Sequence, residues 1–129
     1  MKWIEFVLLA VGAVIGAFLR YKLVDSPVAV YGLPVNVLAV NVLGSFILGV
    51  FSVLSIGLNL EPKYTLLVAV GFCGSFTTMS SFALEISNLF DSDRFSLLAL
   101  NIFANVGLSL GAIFGGRLLG DAIMERFVH

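Results

Sequence analysis

The chain has 129 residues, 60% of them apolar and 12% charged, with a formal net charge of −1 and a mean hydropathy of +1.09. A soluble domain carries about 45–50% apolar and about 25% charged residues, so these proportions exclude an ordinary soluble protein and define a membrane one. There is no basic patch for nucleic acid and no acidic tail, and the length fits one small domain.

Four apolar segments reach the roughly 20 residues needed to cross hydrocarbon. The first span is predicted over 3–22. It is apolar from Trp3 to Leu19 and closes on Arg20, Tyr21 and Lys22. Its apolar run is longer than that of a cleaved leader, and Arg20-Tyr21-Lys22 stands where small cleavage-site residues belong. The second span is predicted over 33–56, the third over 64–90 and the fourth over 95–119. The links DSPVAVYG, NLEPK and DSDR are short, so neighbouring helices run antiparallel. The fold class is an all-α membrane protein, a single four-helix domain over 1–129.

Orientation is weakly encoded. Lys2, Lys63, Arg117 and Arg126 fall on one side and Arg20, Lys22 and Arg94 on the other, four against three. Lys/Arg bias normally sets topology. A near-even split leaves two readings: one orientation set by something subtler, or insertion both ways round. The second yields an antiparallel dimer with its two-fold axis in the membrane plane, a geometry that many transporters reach through inverted repeats. Small residues four apart recur at Gly12/Gly16, Ser45/Gly49 and Gly107/Gly111/Gly115. Such stripes let backbones approach closely in lipid, either within the chain or between copies.

Polar residues inside a bilayer are costly and need a partner or a wet path. Asn41 shares a face of the second span with Ser45 and Gly49. On the third, Ser81 and Glu85 are four apart, and Met79 and Phe82 three apart. On the fourth, Asn101, Asn105 and Ser109 recur every four residues. Each alone reads as an interhelical hydrogen bond; aligned on three helices they read as a hydrophilic path. Amide and hydroxyl donors, with the positive edges of aromatic rings nearby, suit a small anion. Cys73, the single cysteine, reads as a small buried residue.

GFCGSFTTMSSF, residues 71–82, is the least helix-like part of any span. Gly71 and Gly74 lie among Ser75, Thr77, Thr78, Ser80 and Ser81. Two conformations fit: an unbroken helix whose hydroxyls bond to preceding carbonyls, or a break near mid-span. Broken backbone is tolerated in hydrocarbon only where protein, ion or water satisfies it. In a two-fold related pair, freed carbonyls make an oxygen cage for a hard monovalent cation.

GAFLRY (16–21), NVLGSFILG (41–49) and GFCGSFTTMSSFALE (71–85), with a four-span layout covering the whole chain, resemble the Fluc family of fluoride channels, also called CrcB. The resemblance implies an antiparallel, dual-topology homodimer in a prokaryotic cytoplasmic membrane, with the third helix broken, two fluoride pores and a central structural Na+. It implies that Asn41 is a pore-lining donor and that the backbone carbonyls of Gly74 and Thr77, from both subunits, hold the Na+. Phe82 then turns a ring edge to the anion, Ser81, Glu85 and Ser109 form a polar track opposite, and Arg20 stands near an aqueous vestibule. The partners it implies are a second copy, the lipid bilayer, and fluoride and sodium ions. One position departs: the family pattern usually reads TTFSSF, and Met79 occupies the first phenylalanine's place. Methionine fills a similar volume and is polarisable but offers no ring edge, so fold and dimer are expected to hold while throughput changes.

Two other classes share part of this pattern. A small multidrug antiporter shares four helices and dual topology but needs a mid-membrane carboxylate in the first span, and Glu5 lies near its end. A non-conducting assembly subunit would use the polar residues only for packing. An enzyme is not expected: the one histidine is the terminal His129, and no intramembrane serine has a base within reach by sequence.

Overall fold

Backbone polar groups in hydrocarbon have to be paired within their own segment, which favours helix wherever a chain crosses. The computed structural model, which describes residues 2–128, has four helices long and apolar enough to do so. The first, α1, is Trp3–Val24, and its N-terminal turn is held by the Lys2 amide donating to the Glu5 carboxylate at 3.3 Å. Two short strands follow, β1 at Ala29–Val30 and β2 at Leu33–Pro34, paired antiparallel as a hairpin. The second span, α2, is Asn36–Gly57. It starts later than position 33 because Leu33 and Pro34 belong to the hairpin.

The third span is composite. Pro62, placed in the first helical turn where its missing N–H costs nothing, opens α3, Pro62–Thr65. Leu66–Cys73 continues as a π-helix, and Gly74–Phe76 returns to α geometry as α4. The helix then opens at Thr77 (φ −84°, ψ 157°) and Thr78 (φ −151°, ψ 122°) and resumes as α5, Met79–Asp91. The fourth span, α6, runs over Phe95–Val128, well past position 119. At 1.5 Å per residue its 34 residues cover about 51 Å, against about 30 Å of hydrocarbon. The last turns, with Asp121, Glu125 and Arg126, therefore extend beyond the apolar layer.

Glycines decide which helices touch. A Cβ on Gly12 would strike the Leu67 carbonyl, one on Gly16 the Phe72 carbonyl, and one on Gly71 the Leu9 carbonyl. The first stripe is thus filled within the chain, by the π-helical half of the third span. On the other side, Gly49 backs onto the Ile113 carbonyl and Gly116 onto that of Phe46, which fits α2 against α6. The molecule is two such helix pairs, and the break at Thr77–Thr78 lies where they meet: the Thr77 methyl abuts Gly44 of α2. Among the described residues the buried apolar side chains are only Val37, Val40, Cys73, Phe76 and Leu89. A thin core is the expected build in lipid, where apolar side chains gain little by leaving hydrocarbon and packing and polar contacts drive association.

Candidate functional site

The break is held directly by a side chain of α2, braced from α1, and backed by α6 through the α2 side chain. From α2, Asn41 Oδ1 accepts the Thr78 N–H at 2.8 Å, and Asn41 Nδ2 donates to the Thr78 carbonyl at 3.2 Å. The same Nδ2 gives its second proton to Asn105 Oδ1 on α6 at 3.0 Å. Asn105 Nδ2 in turn donates to the Asn101 carbonyl at 3.3 Å and to Asn101 Oδ1. From α1, Arg20 Nε donates to the Ser75 carbonyl at 2.9 Å. The extended backbone at Thr78 is thereby matched by Asn41, which Asn105 engages in turn, while Arg20 takes a carbonyl of the helical turn just before the break, as hydrocarbon demands.

These bonds have a consequence for two carbonyls. In a continuous α-helix the amide of Thr78 would reach the Gly74 carbonyl, and that of Ser81 the Thr77 carbonyl. Thr78 N–H is instead taken by Asn41, and Ser81 N–H caps α5 through Thr78 Oγ1 at 3.2 Å. Thr77 N–H and Oγ1 both turn back to the Cys73 carbonyl, at 3.0 and 2.9 Å. Gly74 and Thr77 thus lose their helical donors, and both border the same cavity. Carbonyl oxygens of this kind are ligands for a hard monovalent cation, so the residues present fit one.

The cavity encloses about 430 Å³ between α2, the break, the start of α5, and α6. Asn41, Ser45, Met79, Phe82, Asn105 and Ser109 are among its walls. Ser109 Oγ is buried without a hydrogen-bond partner, a donor available to whatever enters. Met79 is 73% exposed; its thioether stands at the mouth, one helical turn before the Phe82 ring. Of the residues singled out in the sequence, Asn41, Gly74, Thr77, Met79, Phe82 and Ser109 are brought together here. Arg20, Ser81 and Glu85 are not on this wall. Arg20 braces the break from the α1 side. Ser81 supplies the capping amide, and Glu85 lies a turn further along α5, facing the Asn101 side chain. Glu85 Oε1 and Asn101 Nδ2 are both buried without a partner.

The sequence left open a break near mid-span within 71–82, with the glycines as weak points; it lies at Thr77–Thr78, three residues beyond Gly74. Gly71 stays wound because its missing side chain is needed for contact with α1, and Gly74 because it begins α4. It also did not assign a role to Thr78 or Asn105. The signal for Asn105 was its place in the four-residue period with Asn101 and Ser109. For Thr78 there was little beyond its being a Thr three residues before Ser81, the spacing of a helix N-cap. The stacked Phe72 and Phe76 rings, 5.4 Å apart between centroids, pack beside the break and carried no sequence signature.

A four-span helical membrane protein with one discontinuous span, an asparagine clamped on the break, and beside it a mostly apolar cavity carrying a few amide and hydroxyl groups, has the build of an ion-handling membrane protein. Its family is specific. Residues 7–117 match the family described as CrcB-like protein, Camphor Resistance (CrcB), and the chain belongs to it. It is 58% identical over 126 residues to a protein of Nitrosopumilus maritimus named fluoride-specific ion channel FluC, covering 98% of this chain and 100% of that one. A protein of the same name from Methanococcus aeolicus is 36% identical over 94% of this chain and 98% of its own length. A third, from a Sulfurihydrogenibium species, is 45% identical over 89% and 95%.

Proposed function

We propose that the chain is a passive, fluoride-selective channel of a prokaryotic cytoplasmic membrane, and not an enzyme, working as an antiparallel homodimer with two pores. The observation that carries this reading is the cavity beside the clamped break, mostly apolar but set with the amide and hydroxyl groups of Asn41, Ser45, Asn105 and Ser109, in a chain whose relatives bear the name of fluoride channels. Fluoride is small and strongly hydrated, so conduction requires replacing its water bonds weakly enough to permit exit. Ser109 Oγ, the unpartnered donor in the cavity, replaces one. The Phe82 ring edge, positive by its quadrupole, provides another surface. Asn41 spends both amide protons on protein acceptors, so in this protomer its part is to hold the Thr78 backbone that shapes the passage. Ser81 and Glu85 continue the polar side along α5, and Arg20 fixes the carbonyl end of α4. The inside-negative potential drives the anion outward, at about 2.3 kcal/mol per charge per 100 mV.

Surfaces left open within the protomer support a second copy. Gly107, Gly111 and Gly115 of α6 have nothing within 4 Å of where a Cβ would stand, unlike the filled stripes of α1 and α2. Gly74 and Met79 are also exposed. A two-fold axis beside Gly74 and Met79 brings Gly74 and Thr77 carbonyls from both copies together, and Na+ there would supply the positive charge that binds the copies. The multidrug-antiporter reading loses ground, since Glu5 is committed to the first turn of α1 and is remote from mid-membrane.

The test is efflux from liposomes holding the purified chain, read with fluoride and chloride electrodes. Fluoride loss without chloride loss is expected. Met79→Phe restores the ring edge that methionine lacks and is expected to raise fluoride throughput, with the dimer intact. Equal loss of chloride, or no flux from either chain as intact dimer, overturns the reading.

A further inference from the structure

The connection between α1 and α2 is not a slack loop. Tyr31 (φ 53°) and Gly32 (φ 87°) are both left-handed, the requirement of a two-residue type I′ turn. Asn36 ties the base: its Oδ1 accepts the Val28 N–H at 2.6 Å, and its Nδ2 donates to the Leu23 and Ser26 carbonyls at 2.8 and 3.0 Å. The Val35 N–H closes on the Val28 carbonyl at 3.1 Å. The turn rests against the start of α6, where a Cβ on Gly32 would stand 3.0 Å from Leu97 and 3.6 Å from the Arg94 guanidinium.

This tied hairpin presents apolar side chains outward. Tyr31 is 99% exposed, and Val28 and Val30 are about half exposed. In water such a tip is unfavourable, and a loop that only linked two helices would need neither the apolar sequence nor the tether. The hairpin joins the end of one span to the start of the next, so its height is that of the bilayer surface. Exposed Tyr21, Phe90 and Phe95 stand at the same end of the spans, with Lys22 and Arg94 among them. Amphipathic rings and cations are what headgroup regions favour. The pairing of the hairpin's backbone, by the strand partner and Asn36, removes the cost that bars a bare loop from a less aqueous layer.

We propose that the 28–34 hairpin is an interfacial membrane anchor, with the Tyr31 ring seated among lipid headgroups and Val28 and Val30 on the upper acyl chains. In an antiparallel dimer there is one such anchor in each leaflet, fixing how deep each protomer sits. The proposal rests on the chain's membrane placement and not on the ion that it carries. The test is a single tryptophan at the tip: Tyr31→Trp combined with Trp3→Phe, which removes the one native tryptophan, reconstituted in vesicles. With elution and helical content unchanged, its emission is expected to shift to the blue and to be quenched more by lipids brominated near the headgroup than by lipids brominated near the bilayer centre. Quenching by aqueous iodide without quenching by brominated lipid would place the tip in water. Protection from both would place it against protein, a second copy included. Either result overturns the anchor.

Discussion

Replacing Asn41 by leucine is expected to abolish fluoride efflux and to lower the unfolding free energy by about 3 kcal/mol, at about 1 kcal/mol for each hydrogen bond lost in a bilayer protein. Leucine keeps asparagine's branched shape but with two bulkier methyls, so the substitution removes the bonding and adds a little volume. Three bonds go at once: the pair to the Thr78 backbone and the one to Asn105 Oδ1. The Thr78 N–H has no other partner in place, and its nearest remedy is to close the helix by returning to the Gly74 carbonyl. That rewinds the break and withdraws a carbonyl from the cavity. Asn41→Asp keeps an acceptor for the Thr78 N–H but turns acceptors against the Thr78 carbonyl and Asn105 Oδ1, so it too is expected to lose flux. Thermal unfolding in detergent and fluoride efflux decide this together. An Asn41→Leu protein with unaltered melting and flux would show that the clamp is dispensable.

The clamp also shows how far the sequence was legible. Span number follows from hydropathy because backbone pairing in lipid leaves almost no alternative to helix. The polar face of α6 follows from a four-residue period. Where the third helix opens does not follow, because local propensity and long-range contact disagree there. Gly71 looks like a weak point, yet a Cβ on it would strike α1 backbone. Thr77 and Thr78 look no weaker than their neighbours, yet Asn41, which is 37 residues away from Thr78 in sequence, supplies what an extended backbone needs. The π-helical stretch has the same origin: Leu66–Cys73 reads as ordinary apolar helix. The hairpin after α1 was hidden for a third reason. Its turn places a tyrosine at positive φ, a conformation β-turn chemistry usually assigns to Asn, Asp or Gly, and its tether is a residue that sequence assigns to the next helix.

Glycine stripes that look alike in sequence are expected to fail in different ways when filled. Gly116→Leu drives a side chain into the Phe46 carbonyl and the Val50 amide of α2. Backbone gives way far less readily than a flexible side chain, and overpacking alone costs about 1–3 kcal/mol or more. No monodisperse folded protein is expected. Gly111→Leu, one helical turn and a residue earlier on α6, meets only open space within the protomer. The protomer is expected to fold, with unchanged helical content. A second copy packed on the stripe would be forced away by the new side chain. Gly111→Leu is therefore expected to run as a monomer by light scattering in detergent, and to lose fluoride flux, since in the proposed dimer each copy would lack the other's half of the carbonyl cage and pores. The contrast separates two roles of small residues: Gly116 joins helices of one chain, and Gly111, in the proposed dimer, joins chains. A Gly111→Leu protein that remained a conducting dimer would remove the α6 stripe from the interface and leave the dimer to be sought around Gly74 and Met79.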